Sequence, residues 1–166
     1  MSDVVRKICM LGDFGVGKTS LVARFVHSVY SDKYLTTVGA KIDTKQIDLA
    51  DGGAVKLVVW DLAGGAEVTA QVKTYLRGAT GYLLVVDGTR ANTLVAARAL
   101  KEEADTLIPG KPMVVLINKN DLRDSWEVTD ADIAALRNDG FSVFETSAKT
   151  GEFVEEAFAR LAQAVN

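Results

Sequence analysis

Apolar and polar positions change period several times along the chain. Val4 to Leu11 reads as a strand ending in the run Ile8-Cys9-Met10-Leu11. A glycine-rich turn follows, and then helical spacing from Lys18 to about Ser28. Ala40 to Leu49 and Ala54 to Asp61 read as two strands joined at Asp51-Gly52-Gly53, where the Asp-Gly turn predicts an antiparallel hairpin. Asp43 and Asp48, on the outer strand, are expected to face solvent. Tyr82-Leu83-Leu84-Val85-Val86 is continuously apolar, as in a strand covered on both faces. Thr93 to Leu107 returns to helical spacing, and Met113 to Ile117, after Pro112, is another buried strand. Thr129 opens a helix to about Asn138, with Asp132 completing a variant capping box. Phe141 to Glu145 is a last strand. Beyond Gly151 a final amphipathic helix carries Phe153, Val154, Ala157, Phe158 and Leu161 on one face.

Strand-helix alternation of this kind predicts an α/β fold: a mostly parallel sheet, helices on both faces and right-handed crossovers. Ligands of such sheets sit at the carboxyl ends of the strands. The 166 residues suit one domain, spanning 1–166, with no internal repeat or linker. The longest segment without pattern is Val29 to Gly39. With a formal net charge of -3, the chain lacks the overall basic excess of a nucleic-acid binder. A single cysteine, Cys9, excludes an intrachain disulfide and fits a buried strand thiol in a reducing, cytoplasmic setting. No apolar run is long enough to cross a bilayer. The first residues lack the apolar stretch of a signal peptide, and the last ones hold no cysteine for a prenyl anchor.

Gly12-Asp13-Phe14-Gly15-Val16-Gly17-Lys18-Thr19 matches the Walker A pattern in the right place, between a strand and a helix. Glycines let the backbone close around phosphate where a Cβ would clash. Successive N–H groups from Asp13 onward then form an anion nest. The helix start at Lys18, Thr19 and Ser20 adds its dipole and free amides. Lys18 is placed to reach the β- and γ-phosphates, and the Thr19 hydroxyl to bind Mg²⁺.

Four further segments complete a constellation. Asn118-Lys119-Asn120-Asp121 follows a buried strand. A carboxylate at Asp121 can accept from guanine N1–H and the 2-amino group, donors that adenine lacks on that edge. Asn118 can brace the loop or reach the base, and the Lys119 stem can cover a ring face. Thr146-Ser147-Ala148-Lys149 follows the last strand, with the Ala148 N–H a candidate partner for guanine O6 and Lys149 able to pack on the base. Trp60-Asp61-Leu62-Ala63-Gly64 offers an acid for Mg²⁺, through water, and a Gly64 N–H for the γ-phosphate. Thr37, in the patternless segment, can meet Mg²⁺ through its hydroxyl and the γ-phosphate through its N–H. Both contacts depend on that phosphate, which is the basis of a switch.

These motifs, in this order, resemble the Ras superfamily of small GTPases, and the Rab-like branch most closely. The ungapped stretch from Trp60 through Tyr75-Leu76-Arg77-Gly78-Ala79 has Rab-like order and spacing. The resemblance implies a P-loop NTPase three-layer sandwich with a six-stranded sheet, one strand antiparallel, and five helices. It implies GTP/GDP, Mg²⁺, effectors, exchange factors and GTPase activators as ligand, cofactor and partners. By position, Tyr30 would cover the guanine edge, Tyr34 would lie over the phosphates, and Thr37 would be the Mg²⁺ ligand of the first switch. Gly64 would begin the second. Tail-less relatives occur in prokaryotes as well as eukaryotes, and a prokaryotic source fits. Two departures stand out. Gly65 and Ala66 replace the glutamine and glutamate usual in the family, and that glutamine orients the attacking water. Phe14 stands where a small residue is common. Thr36 also replaces a frequent proline.

The expected function is therefore a GTP-hydrolysing switch, slow because of Gly65. The alternative is a guanine-nucleotide-binding interaction module that does not hydrolyse. An ATP-using transferase is disfavoured by Asp121 and by the lack of room for a lid. His27 reads as a surface or packing residue, and Trp126 as loop packing or a partner contact.

Overall fold

Strict alternation along the central strand sorts its side chains onto two cores: Ile8 and Met10 face one, Cys9 and Leu11 the other. The structure, a computed structural model, describes residues 4–31, 37 and 39–166. In chain order the elements are β1 (Val4–Gly12), α1 (Lys18–His27), β2 (Ala40–Asp48), β3 (Ala54–Leu62), α2 (Ala70–Leu76) and β4 (Gly81–Asp87). Then come α3 (Ala91–Leu107), β5 (Met113–Asn118), a 3₁₀ segment (Asn120–Ser125), α4 (Asp130–Asn138), β6 (Ser142–Glu145) and α5 (Val154–Val165).

The strands lie in the order β2-β3-β1-β4-β5-β6. Only the β2–β3 pair is antiparallel, running from Ala40 opposite Leu62 to Asp48 opposite Ala54. The expected six-stranded sheet with one antiparallel strand is thus present. α1 and α5 cover one face, where Phe25 and Phe158 stack at 3.9 Å and 7°. Residues of α2, α3 and α4 cover the other. β4 is buried throughout, as its unbroken apolar run requires. The parallel strands β1, β4 and β5 all end on one edge of the sandwich, which gathers the loops carrying the motifs.

Several elements differ from their sequence expectation. α2 has no strong helical pattern, since Val72 and Thr74 are poor helix formers. It forms because the Thr69 hydroxyl caps the Val72 N–H at 3.2 Å and because Val72 and Leu76 are buried against the second core. Phe153 does not join the apolar face of α5. It precedes the helix with φ +58° and is 46% exposed, because the turn at Gly151 delays the first helical residue to Val154. Asp43 does not face solvent. Its carboxylate is half-buried beneath the end of α1, 3.4 Å from His27 Nε2 and 3.8 Å from Lys41 Nζ. Asp48 is exposed as expected, and the Thr129–Asp132 capping box is complete.

Cys9 is fully buried, and burial pushes its thiol up to about 12. The native thiol should resist alkylation at neutral pH and react only after denaturant exposes it, which a timed mass measurement would follow. Between pH 9 and 12 the unfolded thiol loses a proton that the native one keeps, so Cys9 lowers stability as pH rises through that window.

Candidate nucleotide and magnesium site

β1 delivers the chain into the phosphate loop through Gly12, where a Cβ would come 2.6 Å from the Val85 carbonyl. The loop then turns through Gly15 (φ +67°) and Gly17 (φ +103°) into α1. Among the described residues, the N–H groups of Gly15, Val16 and Gly17 make no hydrogen bond, so the nest is open to an anion. Lys18 is 6% exposed, and its Nζ donates to the carbonyls of Gly12 and Asp13, each at 3.1 Å. Burial lowers its pKa to about 8, against the opposing pull of Asp61 and Asp13. Gly64 closes on the same ammonium: a Cβ there would sit 2.8 Å from Lys18 Nζ and 3.1 Å from Phe14 Cα. The Gly65 N–H donates to the Gly12 carbonyl at 3.2 Å, which ties the segment expected to form the second switch to the loop.

Three of the oxygens expected to surround Mg²⁺ come together. Thr19 Oγ1 donates to Asp61 Oδ2 at 2.6 Å, and Thr37 Oγ1 lies 2.6 Å from Thr19 Oγ1 and 3.1 Å from Asp61 Oδ2. Asp61 is 1% exposed, and its Oδ1 has no hydrogen-bond partner. Burial raises its pKa, opposed by Thr19, Thr37, Lys18 and Lys41. An orphaned carboxylate oxygen beside two hydroxyls is a hard-oxygen donor set, and it fits Mg²⁺. Among the described residues no group of three or more His, Cys, Asp or Glu side chains could hold a metal, so the remaining ligands would be phosphate oxygens and water.

Where the base is expected, Asn118 is 2% exposed and braces the loops. Its Nδ2 donates to the Val16 carbonyl at 2.9 Å, and its Oδ1 accepts from Thr146 Oγ1 at 3.1 Å. Lys119 adopts φ +74°, and its Nζ lies 2.8 Å from Asp87 Oδ2. Burial alone would raise the Asp87 pKa, but Lys119, Thr89 and Arg90 together bring it below the usual carboxylate value. Trp126 packs in the loop: its Nε1 donates to the Lys119 carbonyl at 2.8 Å, and its ring lies so close to Gly88 that a Cβ would meet it at 2.1 Å.

Asp121 is exposed at the mouth, and Ser147 Oγ donates to its Oδ1 at 2.7 Å. Ala148 is buried, whereas Lys149 and Tyr30 are exposed. Tyr34 and Thr36 lie outside the described residues. Phe14 is 60% exposed. Gln71 turns to Tyr75 Oη at 3.2 Å, and Glu67 approaches position 65 only through its carbonyl.

Sequence reasoning missed the supports of this site. Arg24 of α1 donates through Nε to the Ala148 carbonyl at 2.8 Å and through Nη2 to the Lys149 carbonyl at 2.5 Å. Arg90 grips the Phe14 carbonyl. No local pattern marks either residue, because each partner is more than seventy positions away along the chain.

A mostly parallel sheet with its phosphate loop between β1 and α1 defines an α/β protein of the P-loop GTPase fold. Residues 7–166 match the Ras family. The chain is 36% identical over 161 residues to Ras-related protein Rab11E of Lotus japonicus, covering 96% of this chain and 73% of that protein. It is 34% identical over 166 residues to Ras-related protein Rab-13 of Canis lupus familiaris (97% and 80%). It is 36% identical over 166 residues to GTP-binding protein yptV2 of Volvox carteri (98% and 76%). The chain belongs to the Ras family and is Rab-like. It is a small GTPase switch that binds GTP and GDP with Mg²⁺. Among the described residues, no helix is long and apolar enough to cross a membrane.

Proposed function

We propose that residues 1–166 form one GTPase domain whose intrinsic hydrolysis is slow because position 65 has no side chain to hold the attacking water. The carrying observation is local. A Cβ at Gly65 would have only the Glu67 carbonyl at 3.8 Å and Phe14 Cζ at 3.9 Å as near neighbours. Neither is placed to act as a base or a water clamp.

In this reading Asp13 to Ser20 wrap the phosphates, with Lys18, Thr37 and the Gly64 N–H aimed at the γ-phosphate. Thr19, Thr37 and Asp61 would hold Mg²⁺, which supplies charge neutralisation to the β- and γ-oxygens when bound. Asp121 would select guanine, Ser147 would orient that carboxylate, and Asn118 would keep base and phosphate loops in register. Ala148, Lys119, Lys149 and Tyr30 would enclose the base, and Tyr34 the phosphates. An activator protein would supply the missing group, and effectors and an exchange factor would read and reset the nucleotide state. The chain is proposed to act in the cytoplasm.

Single-turnover hydrolysis tests this. Gly65→Gln should raise the rate about tenfold or more, the scale of one positioned water-orienting group. The space beside Gly65 admits a side chain, so an unchanged rate would mean that another residue already holds the water.

A second reading, a module that holds GTP without turning it over, is favoured by the exposed Phe14 ring beside the phosphate loop. Nucleotide extracted from freshly purified protein separates the two: GTP supports the module, and GDP supports turnover.

A further inference from the structure

Arg90 stands at the start of α3, outside every motif of the nucleotide site, yet it is firmly held. Its N–H donates to the Asp87 carbonyl at 3.0 Å, and its own carbonyl accepts from Thr93 Oγ1 at 2.7 Å. Its Nε donates to Asp87 Oδ2 at 3.0 Å, the same oxygen that lies 2.8 Å from Lys119 Nζ. Its Nη2 donates to the Phe14 carbonyl at 2.5 Å. Thr89 N–H and Oγ1 occupy Asp87 Oδ1, so the carboxylate is fully used and fixes the guanidinium.

The peptide that Arg90 grips joins Phe14 to Gly15. In a trans peptide the N–H points opposite to the carbonyl, and no cis peptide is present among the described residues. The carbonyl faces Arg90, so the Gly15 N–H faces away from it, and among the described residues that N–H has no partner. This peptide lies at the outer-phosphate end of the site, since Phe14 Cα is 3.1 Å from where a Cβ of Gly64 would stand. A cation on the carbonyl both fixes the plane of the peptide and polarises its N–H, which strengthens a hydrogen bond donated from the other side.

We propose that Arg90 is a positioning residue for the GTPase reaction: it clamps the Phe14–Gly15 peptide from behind so that the Gly15 N–H is held on the outer phosphates. The inference rests on the phosphate-loop reading above. Asp87 extends the clamp to Lys119, so the crest of the phosphate loop and the base loop share one carboxylate.

The test is competition binding of GDP and GMP, together with single-turnover GTP hydrolysis, for wild type, Arg90→Ala and Arg90→Lys. GMP keeps the base and sugar but lacks the outer phosphates. Arg90→Ala should weaken GDP and slow hydrolysis by about tenfold, the scale of losing one charge-assisted hydrogen bond. GMP affinity should be unchanged, and Arg90→Lys, which keeps the cation, should recover most of the loss. An equal fall for GMP would place the effect in the base loop or the fold and would overturn the proposal. No change for GDP would overturn it as well. Failure of the phosphate-loop reading looks different: wild type would then bind GDP no more tightly than GMP.

Discussion

Gly17→Ala is expected to abolish measurable nucleotide binding and to lower stability by about 2–5 kcal/mol. Two effects add. The backbone at Gly17 sits at φ +103°, a conformation that costs an L-residue about 1–2 kcal/mol. The new Cβ would also fall 2.3 Å from Asn118 Nδ2, which has no free space to retreat into. The Asn118 amide would have to leave the Val16 carbonyl, stranding a buried polar pair worth about 1–3 kcal/mol. Gly52→Ala is the control. It shares the left-handed backbone at φ +91° but has nothing within 4 Å of its added Cβ, so only the dihedral cost remains. Thermal unfolding of both variants, with and without GDP, checks the pair. If the two lose the same stability, the close approach of Asn118 has no energetic weight.

Asp121→Asn should invert the base preference. Guanine presents two donors, N1–H and the 2-amino group, to a carboxylate that can accept both. An amide turns one acceptor into a donor, so one contact becomes repulsive, and GDP affinity should fall by about 10²–10³-fold. Xanthosine diphosphate carries a carbonyl in place of the 2-amino group and should gain correspondingly. The substitution is not expected to collapse the loop. Ser147 Oγ donates to Asp121 Oδ1 at 2.7 Å, and an amide oxygen can still accept that bond. Competition between the two diphosphates measures the inversion. A fall for GDP with no gain for xanthosine diphosphate would remove Asp121 from its assigned role.

What the sequence made legible follows the range of the forces involved. The β2–β3 hairpin, the capped α4 and the buried β4 and β5 rest on local periodicity and turn chemistry, and they appear where those predict. The phosphate loop, Asp61 and the Asn118–Asp121 segment were legible because their chemistry demands fixed residue types at fixed spacing. Thr19, Thr37 and Asp61 meet as expected, although 18 and 42 positions separate the two from Thr19. α2 was not legible, because its stability comes from burying Val72 and Leu76 rather than from propensity. Phe153 misled because helical spacing says nothing about which residue starts the helix. Asp43 misled because the end of α1 overhangs an edge strand that looks open in sequence. Arg24, Arg90 and the shared carboxylate of Asp87 were invisible for a plainer reason: a cation bonded to a distant carbonyl leaves no periodic mark.

The Asn118 amide also has a consequence in time. One side chain links the Val16 carbonyl on the phosphate side to Thr146 on the purine side, so neither half of the cradle can loosen without disturbing the other. If the proposed cradle holds the nucleotide, release is expected to need a concerted opening rather than peeling away end first. On that reading the dwell in each state would depend on this joint, and a catalyst of release would need to pry at only one end to free both.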